Sequence, residues 1–454
     1  MPNGKPSQYT QFLSAKESLL KWPGLQLSQV LDVEEIIDAA QALGIRYRTR
    51  IFSPWVTLWT FLWQVISPDH SCREALMRLH SDQFACGSQL CNTDTGAYCR
   101  ARMRLSYGLI VMLFRRVAQR LHDRLADGAL LWCGRRVKIV DGSTVSMPDT
   151  AANQARFPQQ SGQKAGLGFP IARLVAIFCW ASGAILEVAT CPFQGKENSE
   201  LALFRGLLGT LSPKEVVLGD RFYASYLMLA LLQHQDVDAV FRQHQARKVD
   251  FRRGRRLGRG EHVVVWHKPK RPAWMEQETY DELPGTLTLR EIRIGRLVLV
   301  TTLLDSALFT REAIGALYQS RWHAELDLRC IKQVMAMDVL RCLTPDMVLK
   351  EIAVHLLAYN LIRALMCKAA QHYELLPRTL SFKACLQFLL SHRGSFGHRS
   401  FDALEVRSFL VVLITHRVAD RPGRKEPRAV KRRPKPYPLL TKPRAQARAE
   451  LRSR

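Results

Sequence analysis

What this 454-residue chain lacks narrows its chemistry first. Its 11 cysteines are odd in number, scattered and without a CxxC pair, so neither a disulfide framework nor a zinc ribbon is indicated, and a reducing cytosol is the expected compartment. The longest apolar runs, such as Leu109 to Phe114 and Phe409 to Ile414, fall short of the roughly 20 residues a membrane span needs. The first residues, MPNGKPSQYTQF, lack the apolar core of a signal peptide. No GxxxxGK[ST] cradle is present for ATP-driven chemistry. His262, His267, His323, His392 and His398 show no ligand spacing with cysteine, and Ser143 has no recognisable His-Asp arrangement. Acid is scarce too: 40 Asp/Glu against 66 Lys/Arg leave a formal charge of +26. That excess implies an extended polyanionic partner, nucleic acid ahead of an anionic membrane.

What is there is globular, 47% apolar and 23% charged, and long enough for two to four domains. Residues 1–127 read as all-helical. Leu27 to Leu43 is amphipathic, with Ser28 as a candidate cap and Gly44 as the stop, and Pro54 opens a Trp-rich segment that must be buried on several sides. From Asn92 to Asp127, capped by Asp94 or Thr95 and divided near Gly108, Arg100, Arg102, Arg104, Arg115 and Arg116 would either suit an element laid along DNA phosphates or form a solvated basic face.

From Arg135 the period changes. Val137 to Val140 and Ser143 to Met147, Phe169 to Trp180 and Ala184 to Phe193 read as strands of an antiparallel meander; Asn198 to Leu211 reads as a helix, Glu215 to Leu218 as a buried strand, and Ala224 to Gln235 as a helix. Strands and helices in that order describe an α/β layer structure. Gln243 to Gly260 crowds seven arginines and lysines around Gly254, Gly258 and Gly260, a run expected to be mobile and solvated unless a polyanion neutralises it. Residues 241–306, with strands at Val263 to Trp266, Thr286 to Ile294 and Leu297 to Leu303, look like a β-rich insert. The tail from Arg421 carries 13 Lys/Arg, two Glu and six Pro, a composition that argues against a core.

The chain is organised around Thr310 to Met337, TREAIGALYQSRWHAELDLRCIKQVMAM, which reads as one long helix. At about 100° per residue, Tyr318, Arg321, Glu325 and Lys332 fall on one charged face, and Leu317, Trp322, Ala324, Leu328, Ile331 and Met335 give apolar flanks. On pattern alone Glu325 either binds a metal ion or pairs with Arg321 and Lys332, the commoner outcome. Phosphodiester chemistry by two metal ions, about 3.5–4 Å apart, needs carboxylates converging from different elements. Asp141 and Asp220, each at the expected end of a buried strand, complete such a set with Glu325; alternatively Asp141-Gly142 is a hairpin turn and Asp220 a helix cap. Asp149, Asp305 and Asp327 are weaker candidates, Asp327 lying about 160° around the helix from Glu325, where it is expected to be dispensable for cleavage.

The spacing Y-(2)-R-(3)-E-(6)-K at Tyr318, Arg321, Glu325 and Lys332, with DGST at Asp141 and GDRFY around Asp220, resembles the DDE transposases of bacterial insertion sequences, of the insertion-sequence-four type. The resemblance runs from about Val137 to Arg363. It implies an RNase H-like catalytic domain with a β-rich insert, preceded by an all-helical DNA-binding domain. The expected organisation is 1–127 helical, 128–240 and 307–375 catalytic, 241–306 insert, 376–420 helical and 421–454 a basic disordered tail. It further implies that Asp141, Asp220 and Glu325 form the catalytic, metal-binding triad for two Mg²⁺ ions, with Mn²⁺ as a substitute, and that Tyr318, Arg321 and Lys332 contact phosphate. Arg329, one turn beyond Glu325, is added as either a phosphate contact or a solvated arginine. Relatives with a base-stacking Trp in the last strand of the insert differ from this chain, whose Arg296-Leu297-Val298 has no aromatic; Trp266 or Trp274 would have to substitute, against the commoner core role.

The function the resemblance implies is cleavage of the inverted-repeat ends of a mobile element and their joining to target DNA, by a homodimer on double-stranded DNA in the cytoplasm, associated with the nucleoid. The alternatives are a non-catalytic DNA-binding repressor of transposition and a basic RNA-binding protein.

Overall fold

In a computed structural model, the described residues are 30–47, 50–85, 90–123, 130–195, 197–392, 403–418 and 439–453. The candidate cap Ser28 lies outside them. The first helix, α1 (Val33–Ala42), is capped instead by Asp32, whose carboxylate accepts the Glu35 N–H at 2.7 Å. It is followed by α2 (Pro54–Ile66), α3 (Cys72–Ala85), α4 (Thr95–Arg104) and α5 (Tyr107–Asp123). As its composition requires, α2 is buried on all sides: twelve of its thirteen residues are buried, including Trp55, Trp59 and Trp63. The break between α4 and α5 falls at Leu105-Ser106 rather than at Gly108, because the Ser106 hydroxyl accepts the Leu109 N–H and starts a new helix.

The central sheet has nine strands, β1 (Val137–Ser146), β2 (Ile171–Cys179), β3 (Ile185–Pro192), β4 (Val216–Gly219), β5 (Asp238–Arg242), β6 (Arg255–Gly258), β7 (Glu261–His267), β8 (Thr286–Ile294) and β9 (Leu297–Thr301). Their spatial order is β3-β2-β1-β4-β5-β9-β8-β7-β6. β1, β4 and β5 are parallel to one another and every other pairing is antiparallel. The fold is therefore a mixed α/β one with a large mixed sheet. The strands expected in a separate β-rich insert continue this sheet, since β9 pairs with β5. Part of the basic run expected to be mobile and solvated is ordered as β6, paired with β7.

Helices cover both faces. One core joins the N-terminal helices and the long α12 (Pro345–His372) to the sheet; on the opposite face α7 (Glu200–Leu207) and α8 (Tyr226–His234) enclose Val140, Val175, Val217 and Phe241. The other helices are α6 (Ala151–Arg156), α9 (Gln277–Glu282), α10 (Arg311–Gln319), α11 (Trp322–Arg329), α13 (Phe382–His392), α14 (Ala403–Thr415) and α15 (Arg444–Arg452). α12 is long and apolar enough to cross a membrane, yet 94% of its most apolar window is buried inside the protein, the mark of a core helix. Its Asn360 latches it to the sheet: the amide oxygen accepts the Ile185 N–H at 2.9 Å and the amide nitrogen donates to the Ile185 carbonyl at 2.8 Å. Within the tail expected to be disordered, α15 is helical and has no buried residue.

α12 also carries a pH liability. His355 is buried, its Nδ1 has no partner among the described residues, and burial, with His70 adding to it, pushes its pKa down to about 3. Glu351, His70 and Arg341 share the small cavity it lines. In the unfolded chain a histidine takes up a proton near pH 6.5, whereas native His355 stays neutral, so its contribution to stability is present above that pH and lost as pH falls. Between pH 7 and pH 5 this one residue is expected to lower stability by about 2 kcal/mol. Urea unfolding at the two pH values should show the loss in the wild type and a smaller one in His355→Gln.

Candidate active site

Asp141 does not end a strand or sit in a hairpin turn; it lies in the middle of β1, opposite Ala176 of β2. What ends there is the parallel neighbour. Ile139 is opposite Leu218, so two residues on, Asp141 and Asp220 stand side by side where β4 stops after Gly219. The outcome is the same opening at the carboxyl end of a parallel strand that an α/β sheet offers to ligands, reached through β4 rather than β1. Asp220 is not the cap of α8 either: its Oδ1 accepts the Phe222 N–H at 2.7 Å, and Ser225 caps the helix. Gly219 is required by crowding, since a Cβ there would lie 2.8 Å from the Tyr223 ring.

The long helix expected over Thr310 to Met337 is three pieces. α10 ends at Gln319, α11 begins at Trp322, and Cys330–Val334 is a π-turn. The break is held from outside, the Trp180 indole donating to the Ser320 hydroxyl at 2.6 Å while that hydroxyl donates to the Leu317 carbonyl. The wide turn sends Lys332 toward β1, where its ammonium donates to Ser143 Oγ at 3.1 Å. π-turns of this kind recur at functional sites.

These elements meet in an open cleft of about 420 Å³ lined by Asp141, Gly142, Asp220, Arg321, Glu325, Leu328, Arg329, Lys332 and Gln333. Arg321 bridges two of the acids: it donates to Glu325 Oε1 at 2.8 Å and lies 3.8 Å from Asp141 Oδ2. Burial pushes the Asp141 carboxyl up to about 6 against the pull of Arg321 and the Gly142 N–H, and the charges of Glu325 and Asp220 push it the same way. Lys332 is held below the usual lysine range by burial. Among the described residues no group of three His, Cys, Asp or Glu side chains converges tightly enough to hold a metal ion. At this cleft the cation between Asp141 and Glu325 is the Arg321 guanidinium.

The remaining candidates separate. Arg329 is exposed on the cleft wall. Tyr318 is only 7% exposed and stands behind the cleft; burial pushes its phenol up to about 12, opposed by Arg321 and Arg242. Asp327 faces away from the cleft and is no idle residue: it is 1% exposed and accepts from Arg363 and, at 3.0 Å, from Arg378. Of the arginines read along α4 and α5, Arg102 donates to Gln64 at 3.0 Å against the Phe61 and Tyr98 rings and serves the fold, while Arg115, paired with Glu187 at 2.6 Å, and Arg100 and Arg104 are exposed. Trp266 is buried beneath Arg247, and Trp274 is covered by Arg205. The sequence reading missed Glu200 and Tyr223, which approach the two aspartates from α7 and the turn after β4.

The chain matches the Transposase DDE domain family over residues 132–361. It is 29% identical, over 363 residues, to the transposase InsG for insertion sequence element IS4 of Escherichia coli K12, covering 76% of this chain and 78% of that protein. A solved structure, the cryo-EM piggyBac transposase synaptic complex with hairpin DNA, aligns over 89% of this chain and 87% of that one, with a TM-score of 0.43 and 11% identity. With half the chain spanned by the family match and an IS4 transposase related along most of its length, the chain belongs to the DDE transposases of the insertion-sequence-four type.

Proposed function

We propose that this transposase cleaves the inverted-repeat ends of its own element and joins the freed 3′-hydroxyls to target DNA, with Asp141, Asp220 and Glu325 as its catalytic acids. One observation carries this: three carboxylates from three separate segments line a single open cleft whose wall also carries Arg321, Arg329 and Lys332. The donor set suits hard divalent cations, which take carboxylate oxygens, and Arg321 already places positive charge between Asp141 and Glu325. Asp141, Asp220 and Glu325 would hold two Mg²⁺ ions, or Mn²⁺ in their place. Bound there, such cations activate the attacking oxygen and stabilise the leaving one.

Arg321, Arg329 and Lys332 would contact phosphate, with Arg321 exchanging its carboxylate partners for the DNA backbone, and Tyr318 would back them from behind the cleft. The catalytic domain would be RNase H-like, built from 128–240 and 307–375 around the insert 241–306 and preceded by a helical DNA-binding domain at 1–127. The helical region 376–420 and the basic tail 421–454 would complete it. Two chains would bring two element ends together on nucleoid DNA in the cytoplasm. The net charge of +26 supports a binding term that weakens steeply with salt.

The purified chain, given DNA carrying the terminal inverted repeats of its element, is expected to nick at the element boundary in Mg²⁺ and to stop when the cation is chelated. Binding to those ends without cleavage in either Mg²⁺ or Mn²⁺ would overturn the catalytic assignment in favour of a repressor.

A further inference from the structure

The carboxylate of Glu200, in the first turn of α7, packs directly on the backbone of Gly142, the residue after Asp141 in β1. A Cβ at position 142 would lie 2.4 Å from Glu200 Cδ and 2.7 Å from each of its oxygens, so the carboxylate occupies the space that a side chain there would take. Gly142 is not left-handed, which makes space rather than backbone conformation the reason for the residue. An acid in a first helical turn is ordinarily explained by the helix dipole, and Ser199 already caps this helix by accepting the Ala202 N–H. The dipole does not explain why the carboxylate is half-buried against β1 with no hydrogen bond or ion pair among the described residues.

Tyr223 is a second, independent sign. It is fully buried, its ring packs edge-on to Phe204, and its hydroxyl has no hydrogen-bond partner among the described residues. That hydroxyl lies within electrostatic reach of Glu200, Asp141 and Asp220. A buried O–H without a partner costs about 1–3 kcal/mol, so a residue left in that state beside three carboxylates points to something that completes the site.

We propose that Glu200 is a fourth carboxylate of the divalent-cation site, acting with Asp141 and Asp220, and that the Tyr223 hydroxyl donates a hydrogen bond to the loaded site and so fixes Glu200. The proposal rests on reading the cleft as a cation site. In chain order the acids would then be Asp141, Glu200, Asp220 and Glu325, one from each of four segments.

The test uses the full chain without DNA and reads Mn²⁺ binding by electron paramagnetic resonance, with the Mg²⁺ concentration for half-maximal end cleavage as a second measure. Glu200→Gln is expected to weaken Mn²⁺ binding roughly 10- to 100-fold and to move the Mg²⁺ midpoint upward by a similar factor. Tyr223→Phe is expected to leave the metal-free thermal midpoint unchanged or higher, because a hydroxyl without a partner is removed, while reducing the rise in midpoint that Mn²⁺ produces. Asp141→Asn is measured alongside. If it loses Mn²⁺ while Glu200→Gln binds as wild type does, the fourth ligand is overturned and the triad stands. If Asp141→Asn also binds as wild type does, the cation site itself is wrong. Should Glu200→Gln fail to fold, Tyr223→Phe decides: a wild-type response to Mn²⁺ overturns the proposal.

Discussion

Asp141→Asn, Asp220→Asn and Glu325→Gln are each expected to reduce cleavage of end DNA in Mg²⁺ by roughly 10³-fold or more, while binding to the same DNA changes by no more than a few-fold. Each change removes one negative charge and one class of oxygen donor without altering volume. None disturbs a core: Asp141 lies at the cleft where β4 ends, Asp220 follows that strand, and Glu325 is on the outward face of α11. Binding should survive because the cations on the wall, Arg321, Arg329 and Lys332, are untouched. Glu325→Gln also removes one carboxylate from Arg321, leaving that guanidinium with Asp141 at 3.8 Å. A gel assay of end cleavage beside a mobility-shift assay of end binding separates the two effects. Cleavage like that of the wild type by any of the three would remove that residue from the triad.

Asp327→Asn should behave in the opposite way, costing about 3–5 kcal/mol of stability, because it leaves one buried and one partly buried guanidinium without their counter-charge. Asp327 is the hub of a network that fastens the helix bearing Glu325 to the rest of the domain. Arg363 reaches it from α12 while also donating to the Tyr359 hydroxyl at 2.8 Å, and Arg378 reaches it while donating to the Cys179 and Trp180 carbonyls. Tyr359 in turn donates to the Gly183 carbonyl at 2.9 Å. Urea unfolding should show the loss directly, and the residual folded fraction should still cleave DNA, the reverse of Glu325→Gln. An unchanged unfolding midpoint would mean that the network carries no net stability.

Helical periodicity placed Asp327 on the opposite side of the helix from Glu325, and the structure keeps it there, yet a residue dispensable for cleavage is not thereby dispensable for the fold. Side is a local property that 100° per residue encodes; burial against Arg363 and Arg378, 36 and 51 residues away, is not. The same limit explains the long helix. Nothing in SRW or CIKQV forbids a helix, and the chain breaks at Ser320 because Trp180, on a distant strand end, takes its hydroxyl. Arg102 and Arg115 were open to a phosphate-facing or a solvated role for the same reason: charge is visible in a sequence, but the Gln64 or Glu187 that receives it is not.

What the sequence determined by itself was the chemistry on offer and the local order of elements. The excess of Lys and Arg and the alternation of strands and helices after Arg135 follow from composition and short-range periodicity, and Asp141, Asp220 and Glu325 were singled out among the acids by the resemblance to a known family. The tertiary structure alone decided that Asp141 is reached in mid-strand, at the point where its parallel neighbour stops, and that the strands of 241–306 continue the central sheet. It also brought Glu200 onto Gly142 and the Tyr223 hydroxyl within electrostatic reach of the acids. Strand register and the approach of a helix to a sheet are set by contacts between residues far apart in the chain, and no local pattern encodes which carboxylate a glycine has made room for.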